Sequence, residues 1–228
     1  MVNLICMIPV RKGSRRVPRK ALRKVGNTTL LEQAINLALT HFHPSKIYLN
    51  TDWLELQPIA DKYKINFYKR DSSLAASNST NDEFMYNFLK NTKCDRVVQL
   101  LPTSPFVLKE EIQDFCEMSI SIDDNALISV GSHRIASVLE DGTPINFTRE
   151  KQNPPSQTMK AIYTYVGVLM SWQRDRFLSD FSDKQCAYHG SSNNQYFPLR
   201  FLSQLDIDTE DDLEQAQLLS LHKPNHLN

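Results

Sequence analysis

Two short stretches concentrate side chains suited to phosphate chemistry. The first, "VRKGSRRVPRKALRK" (10–24), holds eight of the 26 Lys and Arg residues between Arg11 and Lys24, with no acid before Glu32. Arg11, Arg15, Arg19 and Lys20 can neutralise a triphosphate of about four negative charges, and arginine can grip phosphate bidentately. Backbone N–H groups around Gly13 and Ser14, with a helix N-terminus, suit anionic oxygens. The second stretch, "LDIDTEDD" (205–212), offers Asp206 and Asp208. Paired carboxylates bind Mg²⁺, which takes oxygen ligands and keeps waters and phosphate oxygens in its shell. The two acids alternate across an extended segment, so both facing one site calls for a bend or an intervening water. One stretch would bind phosphate, the other the metal that phosphate needs.

Each stretch has a plainer reading. A run of cations is usually a solvated face or a nucleic-acid patch. Three features lean against that: the run starts at the end of an apolar strand, contains Gly13-Ser14, and is stiffened by Pro18. It lacks G-x-x-x-x-G-K-[ST], so a P-loop is excluded. The acids, for their part, can simply cap a helix and favour its N-terminal dipole. Two further stretches carry polar groups at strand ends. "LLPTSPF" (100–106) holds the Thr103 and Ser104 hydroxyls between two prolines, and "RDSSLAASNSTND" (70–82) offers small donors and acceptors suited to a base or ribose. His133, Arg134 and Arg149 receive no role.

The elements that must position these groups alternate. "NLICMIPV" (3–10), "KIYLNTD" (46–52), "INFYKR" (65–70), "DRVVQLLPTSP" (95–105, strand into loop) and "NALISVG" (125–131) read as strands. Helices are expected over 28–42, 58–64, 82–90, 108–120 and 206–222, the first capped by Thr28 or Thr29 and the last by Thr209 with Asp212. That rhythm predicts βαβ units around a parallel sheet with helices on both faces. After about residue 131 it changes to a hairpin turned at Asp141-Gly142 and a long strand over 161–170, an expected β-rich arm at roughly 132–170. The whole of 1–228 reads as one α/β domain, with the tail "KPNHLN" expected to fray.

Composition narrows the function class. Formal net charge is zero, so there is no global pull towards nucleic acid or membrane. The four cysteines lack a C-x-x-C pair, which argues against a metal knuckle or disulfide framework. No apolar run approaches ~18 residues, and the first is too short for a signal segment, so a cytoplasmic protein is expected.

"IPVRKGSRRVPRKAL", "NTD" (50–52), "RDSSLA" (70–75), "LLPTSP" and "DIDTEDDLEQA", in this order, resemble the acylneuraminate cytidylyltransferases: the CMP-sialic acid synthetases and their relatives acting on Kdo, legionaminic and pseudaminic acids. The resemblance spans nearly the whole chain. It implies a Rossmann-like α/β fold, a homodimer in which a β arm reaches over the partner, and Mg²⁺-dependent transfer of CMP from CTP to the anomeric hydroxyl of an acidic sugar, releasing pyrophosphate. It implies that Arg11, Gly13, Ser14, Arg15 and Lys20 hold the triphosphate, with Arg11, Lys20 and Asp208 catalytic. Arg70, Ser79 and Asn81 would lie near the cytidine, Thr103, Ser104 and Gln157 near the sugar, and Asp206 and Asp208 on the metal.

Departures from the family pattern are concentrated. Arg15 and Arg16 stand where lysine and glycine are usual, and Ala21 replaces an asparagine. Leu101 and Val107 replace a glutamine and an arginine, while Ser156-Gln157 and Val166-Gly167 mark altered arm motifs. Most losses fall in the implied sugar pocket, which points to an unusual acidic sugar or an arrested site. A catalytically silent nucleotide-binding homologue and a glycosyltransferase using "DID" as its metal motif are the alternatives.

Overall fold

The computed structural model describes residues 2–76, 78–123, 126–152, 154–190 and 193–222. The first apolar run forms β1 (Leu4–Val10). The basic loop then leads, through a two-stranded ribbon of β2 (Lys24–Val25) and β3 (Thr28–Thr29), into α1 (Leu30–Leu39). The Thr29 hydroxyl caps α1 by accepting from the Glu32 N–H at 3.2 Å. There follow β4 (Ile47–Thr51), α2 (Gln57–Tyr63), β5 (Asn66–Lys69), α3 (Asn81–Asn91), β6 (Arg96–Leu100) and α4 (Lys109–Ser121). The rest comprises β7 (Leu127–His133), β8 (Ile162–Gln173), α5 (Arg174–Lys184), β9 (Gln195–Pro198) and α6 (Glu210–His222).

Seven strands form one sheet in the order β5-β4-β1-β6-β8-β7-β9. All run parallel except β8, which is antiparallel to both β6 and β7. Alternate side chains of β1 feed opposite cores, as a strand buried on both faces requires. Cys6 and Ile8 pack with Leu31 and Ile35 of α1, Ala60 of α2 and Phe115 of α4, whereas Ile5 and Met7 pack with Phe84 and Phe88 of α3 and Phe177 and Phe181 of α5. The expected mostly parallel sheet with helices on both faces is therefore present. A third, smaller cluster joins Val17 of the basic loop, Val25, Leu30 and Phe106 to Ile207, Leu213 and Ala216. It is what brings the two charged stretches together.

The segment expected as a β-rich arm divides in two. Residues 162–170 belong to β8 and pair with β6 and β7 in the main sheet. Residues 134–161 hold the Asp141-Gly142 turn, with Gly142 at φ 83° and, among the described residues, one isolated bridge between Val138 and Pro144. Ile135, Val138, Leu139 and Ile145 of this segment stay exposed. Cys6, Cys94 and Cys116 are buried free thiols, and burial pushes Cys94 and Cys116 up to about 12, as suits packing rather than nucleophilic chemistry. No helix among the described residues is long and apolar enough to cross a membrane. Asn125 and the tail from 223 onwards, both included in the expectations above, lie outside the described residues.

Candidate active site

In the sheet, β4 and β5 lie on one side of β1 and β6 on the other, so the chain reverses its direction of winding between β1 and β6. Loops leaving the carboxyl ends of such a pair flank a crevice where open α/β sheets bind ligands. There the structure has a cavity of about 480 Å³. Its walls include Arg11, Ser14, Arg15, Arg16 and Lys20 from the basic loop, and Arg70, Ser79 and Asn81 from the stretch after β5. Leu101, Pro102 and Thr103 follow β6, and Asp206 and Asp208 precede α6. Segments almost 200 residues apart in sequence thus share one space.

Both acids reach it without the bend expected from the sequence. Ile207 is fully buried in the third cluster, and residues two apart in an extended segment share a side, so Asp206 and Asp208 face the cavity together. The Ile207 N–H donates to the Thr103 carbonyl at 2.9 Å, fixing the segment against the loop after β6. The acids differ in state. Asp208 Oδ1 meets Lys20 Nζ at 3.0 Å and Arg16 Nη2 at 2.9 Å. Asp206 Oδ1 is buried with no hydrogen-bond partner among the described residues. Burial, with the Asp208 charge, pushes Asp206 above the usual carboxylate range, a Thr103 hydroxyl contact and Lys20 working the other way. An orphaned buried oxygen beside a second carboxylate is a donor set that a hard cation would satisfy.

The basic loop sorts its cations by direction. Lys12 turns outward, its N–H donating to Asp52 Oδ1 at 3.0 Å and its Nζ pairing with Glu55 at 2.7 Å. Arg19 adopts the left-handed region at φ 56° and lies over the Trp53 ring, while Arg23 grips Glu210 through both terminal nitrogens. Lys20 is anchored inward, donating to the Ile207 carbonyl at 2.6 Å. Arg11 and Arg15 line the cavity, and their side chains make no ion pair or hydrogen bond with the described residues. Gly13 sits outside the cavity lining, where an added Cβ would meet nothing within 4 Å. The Ser14 N–H already donates to the Lys12 carbonyl at 3.1 Å. Side chains more than loop amides face the cavity here. The loop runs into a short 3₁₀ turn, Lys20–Leu22, so α1 starts only after the ribbon.

At the other end Arg70 is 5% exposed yet has no carboxylate partner among the described residues. Its Nε donates to Asn50 Oδ1 and its Nη2 to the Asn50 carbonyl, both at 2.8 Å, and its guanidinium lies 4.4 Å from the Phe84 ring centroid. Burial brings its pKa down to about 10, with the Asp52 charge opposing. Asn50 and Phe84 were missed in the sequence. The signal available was that Asn50 stands near the end of one expected strand (46–52) and Arg70 closes the next (65–70); in the structure Asn50 pairs with Tyr68, two residues before Arg70. Besides Gly13, two expected residues lie elsewhere. Ser104 is buried, its hydroxyl unpartnered, on a second space of about 590 Å³ between α1 and the loop before α4, across a wall of Leu30, Leu101 and Pro102. Gln157 is exposed on the segment between β7 and β8.

Comparison with known proteins agrees with this picture. A family model described as "Cytidylyltransferase" matches residues 5–226. Pseudaminic acid cytidylyltransferase of Campylobacter jejuni is 25% identical over 242 aligned residues, covering 99% of this chain and 98% of that protein. N-acylneuraminate cytidylyltransferase of Streptococcus agalactiae is 22% identical, covering 91% of this chain and 51% of that protein. Among solved structures, CMP:2-keto-3-deoxy-manno-octonic acid synthetase complexed with CTP superposes with a TM-score of 0.68 at 11% identity, over 97% of this chain and 99% of that one. The 4-diphosphocytidyl-2C-methyl-D-erythritol synthase of Anaerococcus prevotii gives 0.69 at 14% identity, over 96% of both.

Proposed function

The chain belongs to the cytidylyltransferase family, and we propose that within it this protein transfers CMP from CTP to the anomeric hydroxyl of an acidic, nonulosonic or Kdo-like sugar. The observation that carries the reading is the convergence of the basic loop, Arg70 and the Asp206–Asp208 pair on one cavity. In this reading Arg11, Ser14, Arg15 and Lys20 receive the triphosphate, and Arg70, Ser79 and Asn81 receive the cytidine. Thr103 meets the sugar from the nucleotide cavity and Ser104 from the space beside it. As the sugar hydroxyl gives up its proton to solvent and its oxygen bonds to the α-phosphorus, the bond to the bridging oxygen breaks and pyrophosphate leaves. Arg11 and Lys20 stabilise the charge that gathers on the phosphoryl oxygens, and Lys20 does so from a place fixed by the Ile207 carbonyl. Asp206 and Asp208 would hold Mg²⁺, which when bound supplies Lewis-acid polarisation and charge neutralisation at the phosphates.

We place the protein in the cytoplasm, as suits an enzyme of nucleotide-sugar biosynthesis. The exposed Ile135, Val138, Leu139 and Ile145 support a homodimer through the 134–161 segment. Gln157, carried on that segment, would then reach a sugar in a second copy's cavity. The test is pyrophosphate release with Mg²⁺, crossing CTP, UTP, ATP and GTP against eight- and nine-carbon acidic sugars. Turnover confined to CTP and one sugar is expected. Silence on every sugar, while CTP still raises the melting temperature, would replace the transferase with a nucleotide-binding homologue.

A further inference from the structure

Asp208 Oδ1 is covered by two cations that are held differently. Lys20 is 16% exposed and also donates to the Ile207 carbonyl, so its position is set by the backbone. Arg16 is 66% exposed, and its contact with Asp208 is the one ion pair it makes among the described residues. Arg16 nevertheless belongs to the cavity wall, beside Arg11 and Arg15. Exposed ion pairs of this kind are weak and open readily, whereas a guanidinium binds phosphate bidentately.

We propose that Arg16 is a detachable counter-cation that competes with the metal for Asp208 and releases it when a triphosphate draws the guanidinium away. This rests on reading Asp208 as a metal ligand. A divalent ion at Asp208 would sit beside the guanidinium, and like charges at that range repel. Without nucleotide the metal therefore binds against Arg16. With nucleotide, the same side chain turns onto phosphate oxygens and its charge assists the complex it had opposed. By linkage, metal and triphosphate each tighten the binding of the other, and Arg16 carries part of that coupling. The device puts the metal on the protein together with the nucleotide, and protects Asp208 from capture by free divalent ions.

The experiment measures Mn²⁺ binding to the intact protein by paramagnetic resonance of the free ion, with and without CTP. A titration of CTP alone removes the ion's own binding to nucleotide. Wild type is compared with Arg16→Gly, Arg16→Lys and Lys12→Ala, each first checked for an unchanged melting temperature. Without CTP, Arg16→Gly should bind Mn²⁺ about three- to fivefold more tightly, the range an exposed ion pair commands. Arg16→Lys should stay near wild type. Lys12→Ala removes an equal charge from the same loop, but that charge is paired with Glu55 at 2.7 Å, so Mn²⁺ affinity should hold. With CTP, wild type and Arg16→Gly should converge. Equal affinities for wild type and Arg16→Gly in the absence of CTP would overturn the proposal, as would a Lys12→Ala shift of the same size. Mn²⁺ that binds wild type in neither condition would remove the metal reading itself.

Discussion

At one end of the cavity Arg70 is held by two hydrogen bonds to Asn50 and by the face of Phe84, with almost no surface in water. At the other, Arg11 and Arg15 stand exposed, with no side-chain partner among the described residues. Both ends present cations, but they can do different things. A buried, oriented guanidinium offers a few fixed donors, and a ligand that fails to use them leaves them desolvated and unpaired, which is how a site discriminates. Exposed arginines on a loop attract any polyanion, and their contribution is screened by salt. The difference places selectivity at the Arg70 end and charge neutralisation at the loop end.

The largest expected effect tests whether charge handling depends on the acids as well as the cations. Asp208→Asn should lower kcat by about 10²–10³-fold, the scale seen when one charge-stabilising group leaves an active site. The fold should survive, since Asp208 makes only partly exposed ion pairs. Near-normal turnover with Mg²⁺ would show that the acids are merely capping α6.

Two substitutions then set the ends against each other. Arg70→Met should destabilise the protein by about 1–3 kcal/mol, because Asn50 Oδ1 loses its donor in a buried place. It should also narrow the gap between CTP and UTP in kcat/KM. Arg11→Ala should leave the melting temperature and that gap alone while raising KM for CTP by about tenfold, the scale of one charge-assisted contact. Higher salt should shrink the Arg11 effect and spare the Arg70 effect. An Arg11→Ala enzyme with altered base preference would collapse the distinction.

The same contrast explains what could be read from the chain. Buried strands and amphipathic helices announce themselves because one side chain in two, or one face in three or four, must be apolar. Every strand and helix expected before residue 131 is present, with ends shifted by one to three residues and the 95–105 stretch divided into a strand over Arg96–Leu100 and a loop. α5 went unread because Phe177 and Phe181 are its only buried side chains, too few to show a period. β9 is four residues long and ends in Pro198. β8 was read as a strand but placed in the arm, because the sequence does not say which neighbour a strand pairs with. The exposed cations of the loop were legible as a run of like charge. The Arg70 cradle was not, since neither Asn50, although it opens the "NTD" stretch, nor Phe84 is marked as a partner of Arg70 until the fold sets them around it. Asp208 was legible as an acid, but its pairing with Arg16 is a matter of tertiary geometry.

The smallest effect concerns Asp206, the acid that shares Arg70's condition of burial without an opposite charge fully facing it. Its carboxyl is pushed up by burial first and by Asp208 second. A folded pKa above the unfolded one means that the group's contribution to stability is intact below the ordinary carboxylate range and is lost as pH rises through the raised value. At neutral pH the charged Asp206 is therefore a net cost to the folded chain. Asp206→Asn removes that cost, so its melting temperature should exceed that of wild type at neutral pH, by about 2–4 °C for each kcal/mol relieved in a chain of this length. The gain should shrink as pH falls through the raised value towards the ordinary carboxylate range, because the wild-type carboxyl then takes up its proton. Mn²⁺ should reverse the ranking, stabilising wild type at neutral pH and leaving the variant behind. A variant less stable than wild type without metal at neutral pH would mean that Asp206 is held by contacts in the fold, and that its buried oxygen is not kept for a cation.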